Sequence, residues 1–198
     1  QSCSNNITDE IMEYDIIYGL KNIFINQDID GVNVSRKIII QSPDQQENKK
    51  YPIVFYFHGN GGRAESGFIL SELINNGEFI GIYPEGYKRS WNLGVEDSNA
   101  DDIKFISMIV EKLKNYTNLD TENMFAIGAS NGSAMVNELG IKTNFFKGIA
   151  PLASQLLTKQ IPTSSTNPLS VYQICGSDDE SIPFEGGYSN VGHTFQSA

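Results

Sequence analysis

The chain is short of basic residues, of cysteine and histidine, and of long apolar runs, and each shortage removes a class of function. Lysine and arginine total 14 against 24 aspartates and glutamates, a formal net charge of -10. Binding a phosphate backbone or an anionic lipid surface needs clustered cations, so no nucleic acid and no anionic membrane is expected as a partner. No apolar run approaches the roughly 18 residues that span a bilayer, so no transmembrane segment is predicted. Two cysteines, Cys3 and Cys175, do not make a disulfide scaffold. They can pair if the N-terminal arm folds back. Cys3 can instead be a lipid-modified N-terminus, and Cys175, ending an apolar run, reads as a small buried hydrophobe. The two histidines, His58 and His193, stand at no metal spacing with either cysteine. No metal site and no cofactor is expected.

What is present suits one folded domain. The 198 residues are 39% hydrophobic and 19% charged, which is enough apolar content for a core. Residues 1–12 are polar and read as a flexible N-terminal arm, with residues 13–198 as a single domain. Gln1 to Asn6 has neither an initiator methionine nor an apolar stretch. It reads as a mature end left after processing, so an extracellular, secreted protein is expected. Asn6, Asn33 and Asn115 each begin an Asn-x-Ser/Thr acceptor for N-glycans.

Apolar periodicity predicts alternating strands and helices. Tyr14 to Ile25 and Val32 to Ile40 read as strands joined by a turn at Gly31. The unbroken apolar run Ile53 to Phe57 fits a strand covered on both faces. A helix is predicted over 65–76, with Phe68, Leu70, Leu73 and Ile74 inward, followed by a strand from Phe79 to Tyr83. Residues 99–115 carry Ile103, Ile106, Ile109, Val110 and Leu113 at helical spacing, with Asp101 and Asp102 where a helix dipole favours anions. Strands at 124–127, 146–152 and 169–175 complete the pattern, with a helix to about Leu139 between the first two. Alternation of this kind implies an α/β fold with a mainly parallel sheet, right-handed crossovers and helices on both faces.

Gly128-Ala129-Ser130-Asn131-Gly132 is a G-x-S-x-G pentapeptide between a predicted strand and a predicted helix. The glycines permit a sharp bend that lifts Ser130 above the sheet at a helix N-terminus, where free amides suit a developing oxyanion. The same logic puts a second donor in His58-Gly59-Asn60-Gly61-Gly62, after the Ile53–Phe57 strand. The expected donors are the amides of Asn131 and Asn60, with Gly61 as the alternative to Asn60. His58 reads as a brace for this loop.

Further blocks follow in order: Tyr83-Pro84-Glu85-Gly86, Ser90-Trp91-Asn92, Asp101-Asp102, Ala150-Pro151, Gly176-Ser177-Asp178-Asp179 and Ile182-Pro183-Phe184-Glu185-Gly186-Gly187. Together with His58-Gly59 and the pentapeptide, this series resembles the extracellular polyhydroxybutyrate depolymerase and feruloyl esterase group of α/β-hydrolases, from about residue 32 onward. The resemblance implies an ester hydrolase using serine, histidine and aspartate, with Ser130 as nucleophile and Asp179, rather than its neighbour Asp178, as the acid. It also implies a substrate cleft lined or braced by Trp91, Asn92 and Asp102. Candidate substrates are feruloyl or acetyl esters on polysaccharides, or polyhydroxyalkanoate.

Ser130 needs a base, because an alcohol is a poor nucleophile at its own pKa. In these folds the order is serine, acid, histidine, which points to His193. Only 13 residues separate Asp179 from His193 and five follow it, leaving no room for the usual helix and final strand. In the resembled group Gly192 to Ala198 corresponds to the opening of the next helix, and the catalytic histidine lies beyond it. The sequence is therefore expected to stop short of the base, as a domain truncated before its last helix and strand. Three arrangements account for this: the molecule continues, a second chain supplies the rest, or the fold persists without catalysis as a glycan- or protein-binding module.

Overall fold

A computed structural model describes residues 19–44 and 49–198, and the polar arm with Cys3 and Asn6 lies outside them. Alternation along Gly19–Ile29 (β1) buries Ile23, Ile25 and Ile29 on one face and exposes Phe24 and Asp28 on the other. β1 pairs antiparallel with Val32–Ser42 (β2). The turn between them places Asp30 and Gly31 at φ of +54° and +79°, the left-handed pair that a tight hairpin requires. β1 runs four residues past the predicted end at Ile25, because Gln27 and Ile29 keep the inward alternation.

Five further strands continue the sheet: Tyr51–Phe57 (β3), Ile80–Pro84 (β4), Leu119–Ala129 (β5), Gly148–Leu152 (β6) and Ser170–Val171 (β7). Their spatial order is β1-β2-β4-β3-β5-β6-β7, parallel from β4 to β7. The helices Asp102–Leu113 (α2) and Asn131–Lys142 (α3) share one apolar cluster with Ile53, Phe55 and Phe57 of β3. Ala64 and Leu70 pack on the opposite face against Tyr56 and Tyr83. Helices thus cover both faces, as a parallel sheet requires.

Three expectations are corrected. The helix predicted over 65–76 is a 3₁₀ segment, Ala64–Leu70, followed by the single α-turn Ser71–Asn75 (α1). The tighter winding turns Gly67 inward, so close to the Tyr83 ring that a Cβ would stand 2.3 Å from it, and leaves Phe68 exposed. The strand predicted over 169–175 is shorter, pairing only at Ser170–Val171 and lying last in the sheet among the described residues. Val171, Tyr172 and Ile174 are exposed there, and Cys175 is a half-buried free thiol. At α2, Asp101 is the N-cap, accepting from the Lys104 amide at 2.9 Å, and Phe105 rather than Ile103 completes the buried face. Of the glycan acceptors described, Asn33 is exposed at the hairpin and Asn115 half-buried after α2. No helix among the described residues is long and apolar enough to cross a membrane.

Candidate active site

The site grows from the junction of β5 and α3. Ser130 closes the strand at φ +54° and ψ -118°, a conformation that a β-substituted residue adopts only at a cost of about 1–3 kcal/mol. Close packing of the flanking glycines holds it there. A Cβ on Gly128 would lie 2.3 Å from the Gly132 carbonyl oxygen, and one on Gly132 2.2 Å from that of Phe57. The bend is pinned from below as well. Ser130 N–H donates to the Leu152 oxygen at 2.9 Å, and the buried Ser133 hydroxyl donates to the Gly128 carbonyl at 2.6 Å while accepting from the Leu152 amide at 2.8 Å. Gly132→Ala is expected to lower stability by about 1–3 kcal/mol, since the clash is with backbone. Gly140→Ala on the same helix should stay within about 1 kcal/mol, its new methyl meeting only flexible side-chain ends, Ile149 at 3.1 Å and Leu169 at 3.6 Å. Urea denaturation of the two variants side by side tests the contrast.

Ser130 is solvent-exposed and opens on a cleft of about 310 Å3. Asn60, from the loop after β3, and Asn131 line the same cleft. The Asn131 amide is the first of α3 and has no intrahelical partner. Among the described residues no acceptor engages the Asn60 amide. The Gly61 amide is occupied, donating to the Arg89 oxygen at 2.8 Å, so Gly61 is not an available donor. Arg89 clamps this loop from both sides, its guanidinium returning bonds to the Gly61 and Gly62 carbonyls. Lys88 and Arg89 reach these positions at φ of +52° and +63°.

His58 braces the same loop. It is 1% exposed, and its Nε2 accepts from the Gly86 amide at 2.9 Å, which leaves the proton on Nδ1 to bond the Gly59 oxygen at 2.8 Å. Both ring nitrogens are thereby spent. Burial lowers its pKa below the ordinary histidine value, the bond to Gly59 only partly opposing this. The unfolded chain then binds a proton that the folded chain refuses, so the contribution is complete above about pH 6.5 and falls as the pH drops toward the folded value. His58→Gln is expected to flatten the decline in thermal midpoint between pH 7 and 5.

Trp91 and Asn92 do not line the cleft. Trp91 is fully buried, edge-on to Phe57 at 5.1 Å, with its indole N–H on the His58 oxygen at 2.8 Å. Asn92 donates from its amide to Asp102 at 2.7 Å and from its side chain to the Ala100 oxygen at 3.0 Å. Both hold the 90–97 loop from behind, because the indole has a ready core position over β3. Asp102 is itself buried against Arg36, Oδ1 to Nη2 at 2.7 Å. Arg36 lies 3.6 Å over the Phe105 ring and bonds Gln27 and the Glu85 oxygen. Burial raises the Asp102 pKa against the pull of Arg36, and it lowers that of Arg36 against the pull of Asp102.

Asp179 is half-buried, its Oδ1 accepting from the Ser181 and Ile182 amides at 2.8 and 2.9 Å. Ile182 lines the cleft. Asp178 is exposed and bonded to Ser177. His193 is on the cleft wall, in the turn between the short strands Gly187–Tyr188 (β8) and Thr194–Phe195 (β9). Its Nε2 is 2.8 Å from Oε1 of Glu96, a residue with no signal in the sequence. Burial pushes the Glu96 pKa up, but the bond from His193 and those from the loop amides outweigh it, so the net shift is downward. Leu93, Val95, Val191 and Phe195 make an apolar part of the wall, and Lys88, Ser90, Asp97 and Ser154 a polar one. No group of three or more potential metal ligands occurs among the described residues.

Comparison with known proteins agrees with the fold. No family model matches the chain. Over 144 residues, 68% of this chain and 42% of the relative, it is 31% identical to a Nocardia uniformis subsp. tsuyamanensis protein described as an esterase, NocK. It is 25% identical over 168 residues to feruloyl esterase B of Piromyces equi, covering 79% of this chain and 31% of that one. In structure it is similar to a thermostable esterase, with a TM-score of 0.65 at 16% identity over 83% of this chain and 48% of that chain. The chain therefore has the fold of the α/β-hydrolases, and its sequence relatives are esterases. It spans less than half the length of these two relatives.

Proposed function

We propose that this protein is a secreted serine hydrolase of carboxylic esters, acting on feruloyl or acetyl esters of polysaccharides or on polyhydroxyalkanoate. The observation that carries the reading is Ser130 at φ +54°, exposed on a cleft between two amides without acceptors. Ser130 Oγ attacks the ester carbonyl, and the Asn131 and Asn60 amides receive the oxyanion. The alcohol leaves, and water releases the acid from the acyl-enzyme. Asp179, held by two backbone amides, is the acid that orients the base. His58 is not the base, because both its ring nitrogens are engaged, and His193 is paired through Nε2 with Glu96 rather than with Asp179, the acid of this reading. We assign it to a histidine outside these 198 residues.

The apolar part of the wall offers room for an aryl or alkyl acyl group, and the feruloyl esterase relatives favour the aryl one. The full natural protein should hydrolyse p-nitrophenyl and feruloyl esters and should be labelled at Ser130 by a fluorophosphonate. Absence of both reactions overturns the reading in favour of a non-catalytic binding module. His193→Ala should leave hydrolysis measurable, and its complete loss would make His193 the base.

A further inference from the structure

Four hydrogen bonds converge on the Glu96 carboxylate, which is 10% exposed on the cleft wall. Oε2 accepts from the Leu93 and Val95 amides at 2.7 and 3.2 Å. Oε1 faces Asn131 Nδ2 at 3.0 Å and His193 Nε2 at 2.8 Å. Those donors belong to three separate pieces of chain: the 90–97 loop, the first turn of α3 beside Ser130, and the β8–β9 hairpin. A carboxylate at a shared boundary is costly to desolvate, and it is tolerated because every lone pair finds a donor.

The Asn131 side chain is equally committed. Its oxygen accepts from the Trp91 amide at 2.8 Å and faces the Ser90 hydroxyl at 3.4 Å, and its Nδ2 also reaches the Trp91 oxygen at 3.1 Å. The carboxamide thus pairs with both backbone groups of Trp91, and Glu96 closes the remaining donor position.

We propose that Glu96 is a positioning residue of the oxyanion site: it fixes the Asn131 carboxamide, and through it the backbone N–H beside Ser130, while tying the β8–β9 hairpin to the same point through His193. The inference rests on the serine-hydrolase reading above. Its chemistry is specific to a carboxylate. Glutamine offers one acceptor oxygen, so it satisfies either the two loop amides or Asn131 with His193, and in each case turns an NH2 toward donors. Alanine abandons both.

The readout that separates positioning from bulk stability is affinity for an oxyanion mimic. Phenylboronic acid forms a tetrahedral anionic adduct at a reactive serine: the Ser130 oxygen makes the fourth bond to the trigonal boron, both boron hydroxyls stay in place, and the serine proton passes to base. Its affinity is compared with that of a neutral benzyl amide, which fills the cleft without forming the adduct. In the full natural chain, Glu96→Ala is expected to weaken boronate binding about tenfold or more, a fraction of what losing a whole oxyanion donor costs. Amide binding should change less than twofold. Glu96→Gln should fall between alanine and the parent, and it serves if the alanine variant does not fold. In the Asn131→Ala background, where the carboxamide is gone, Glu96→Ala should add little.

Unchanged boronate affinity in both Glu96 variants, with Ser130→Ala abolishing the adduct, overturns the role of Glu96 alone. Equal weakening of boronate and amide overturns it too, in favour of a cleft that has merely loosened. No adduct in the parent protein overturns the serine-hydrolase reading and the inference with it.

Discussion

Ser130→Ala is expected to lower ester hydrolysis by the full natural protein at least a thousandfold, with substrate affinity little changed. The substitution deletes one oxygen atom from an exposed position and leaves every bond that shapes the bend in place. Ser130 donates its backbone N–H to Leu152, and the buried hydroxyl beneath it is that of Ser133. Stability should therefore be unchanged, because alanine keeps the Cβ and with it the same strained backbone. The size of the loss follows from acting as a unit: without its nucleophile, a hydrolase of this kind keeps only binding and oxyanion stabilisation, so losses of roughly 10³ to 10⁶ in kcat are typical. Steady-state kinetics with a p-nitrophenyl ester, alongside thermal unfolding, measure both halves. A variant retaining a tenth of the activity would show that chemistry passes through another group.

The second large effect is on folding. Asp102→Ala should cost about 3–5 kcal/mol, because it strands the Arg36 guanidinium, whose side chain is 2% exposed, without its counter-charge. It also frees the Asn92 amide that Asp102 holds at 2.7 Å, and so loosens the loop carrying Trp91 and Glu96. Asp102→Leu combined with Arg36→Met should recover much of the loss, since an apolar pair of similar volume needs no desolvation. Urea denaturation of the single and double variants decides this. If Asp102→Ala loses under 1 kcal/mol, the pair is not holding the loop.

How far the sequence discloses this molecule depends on what kind of signal each part leaves. The bend at Ser130 is legible because it needs glycine at two fixed places, and those glycines lie within hard-contact distance of backbone atoms from β3 and α3. Strands β3 and β5 and helix α2 are legible because apolar side chains recur at the period of their geometry. Phe68 misleads because a helical template, applied to a 3₁₀ winding, rotates it inward by one position too many.

The polar framework is least legible. Arg36 and Asp102 lie on β2 and α2, and nothing local in either segment marks them as partners. Glu96 sits in a loop, where no period constrains side chains. His193 stands in a short hairpin turn whose placement over the cleft depends on the chain reversal at Gly186 and Gly187, both at positive φ. Trp91 enters the cleft only through the family resemblance, and the core-aromatic role that suits a lone tryptophan is the one it takes, over Phe57.

Ser133 gives the fold a practical division of labour. Because its hydroxyl joins the Gly128 carbonyl to the Leu152 amide, the reactive bend and β6 move as one body. Variation that retunes which acid or alcohol is accepted is thereby channelled into the cleft-lining apolar side chains Leu93, Val95, Val191 and Phe195. Libraries confined to those four positions should shift selectivity while leaving Glu96, Asn131 and the bend untouched, whereas changes at Ser133 should erode every substrate alike.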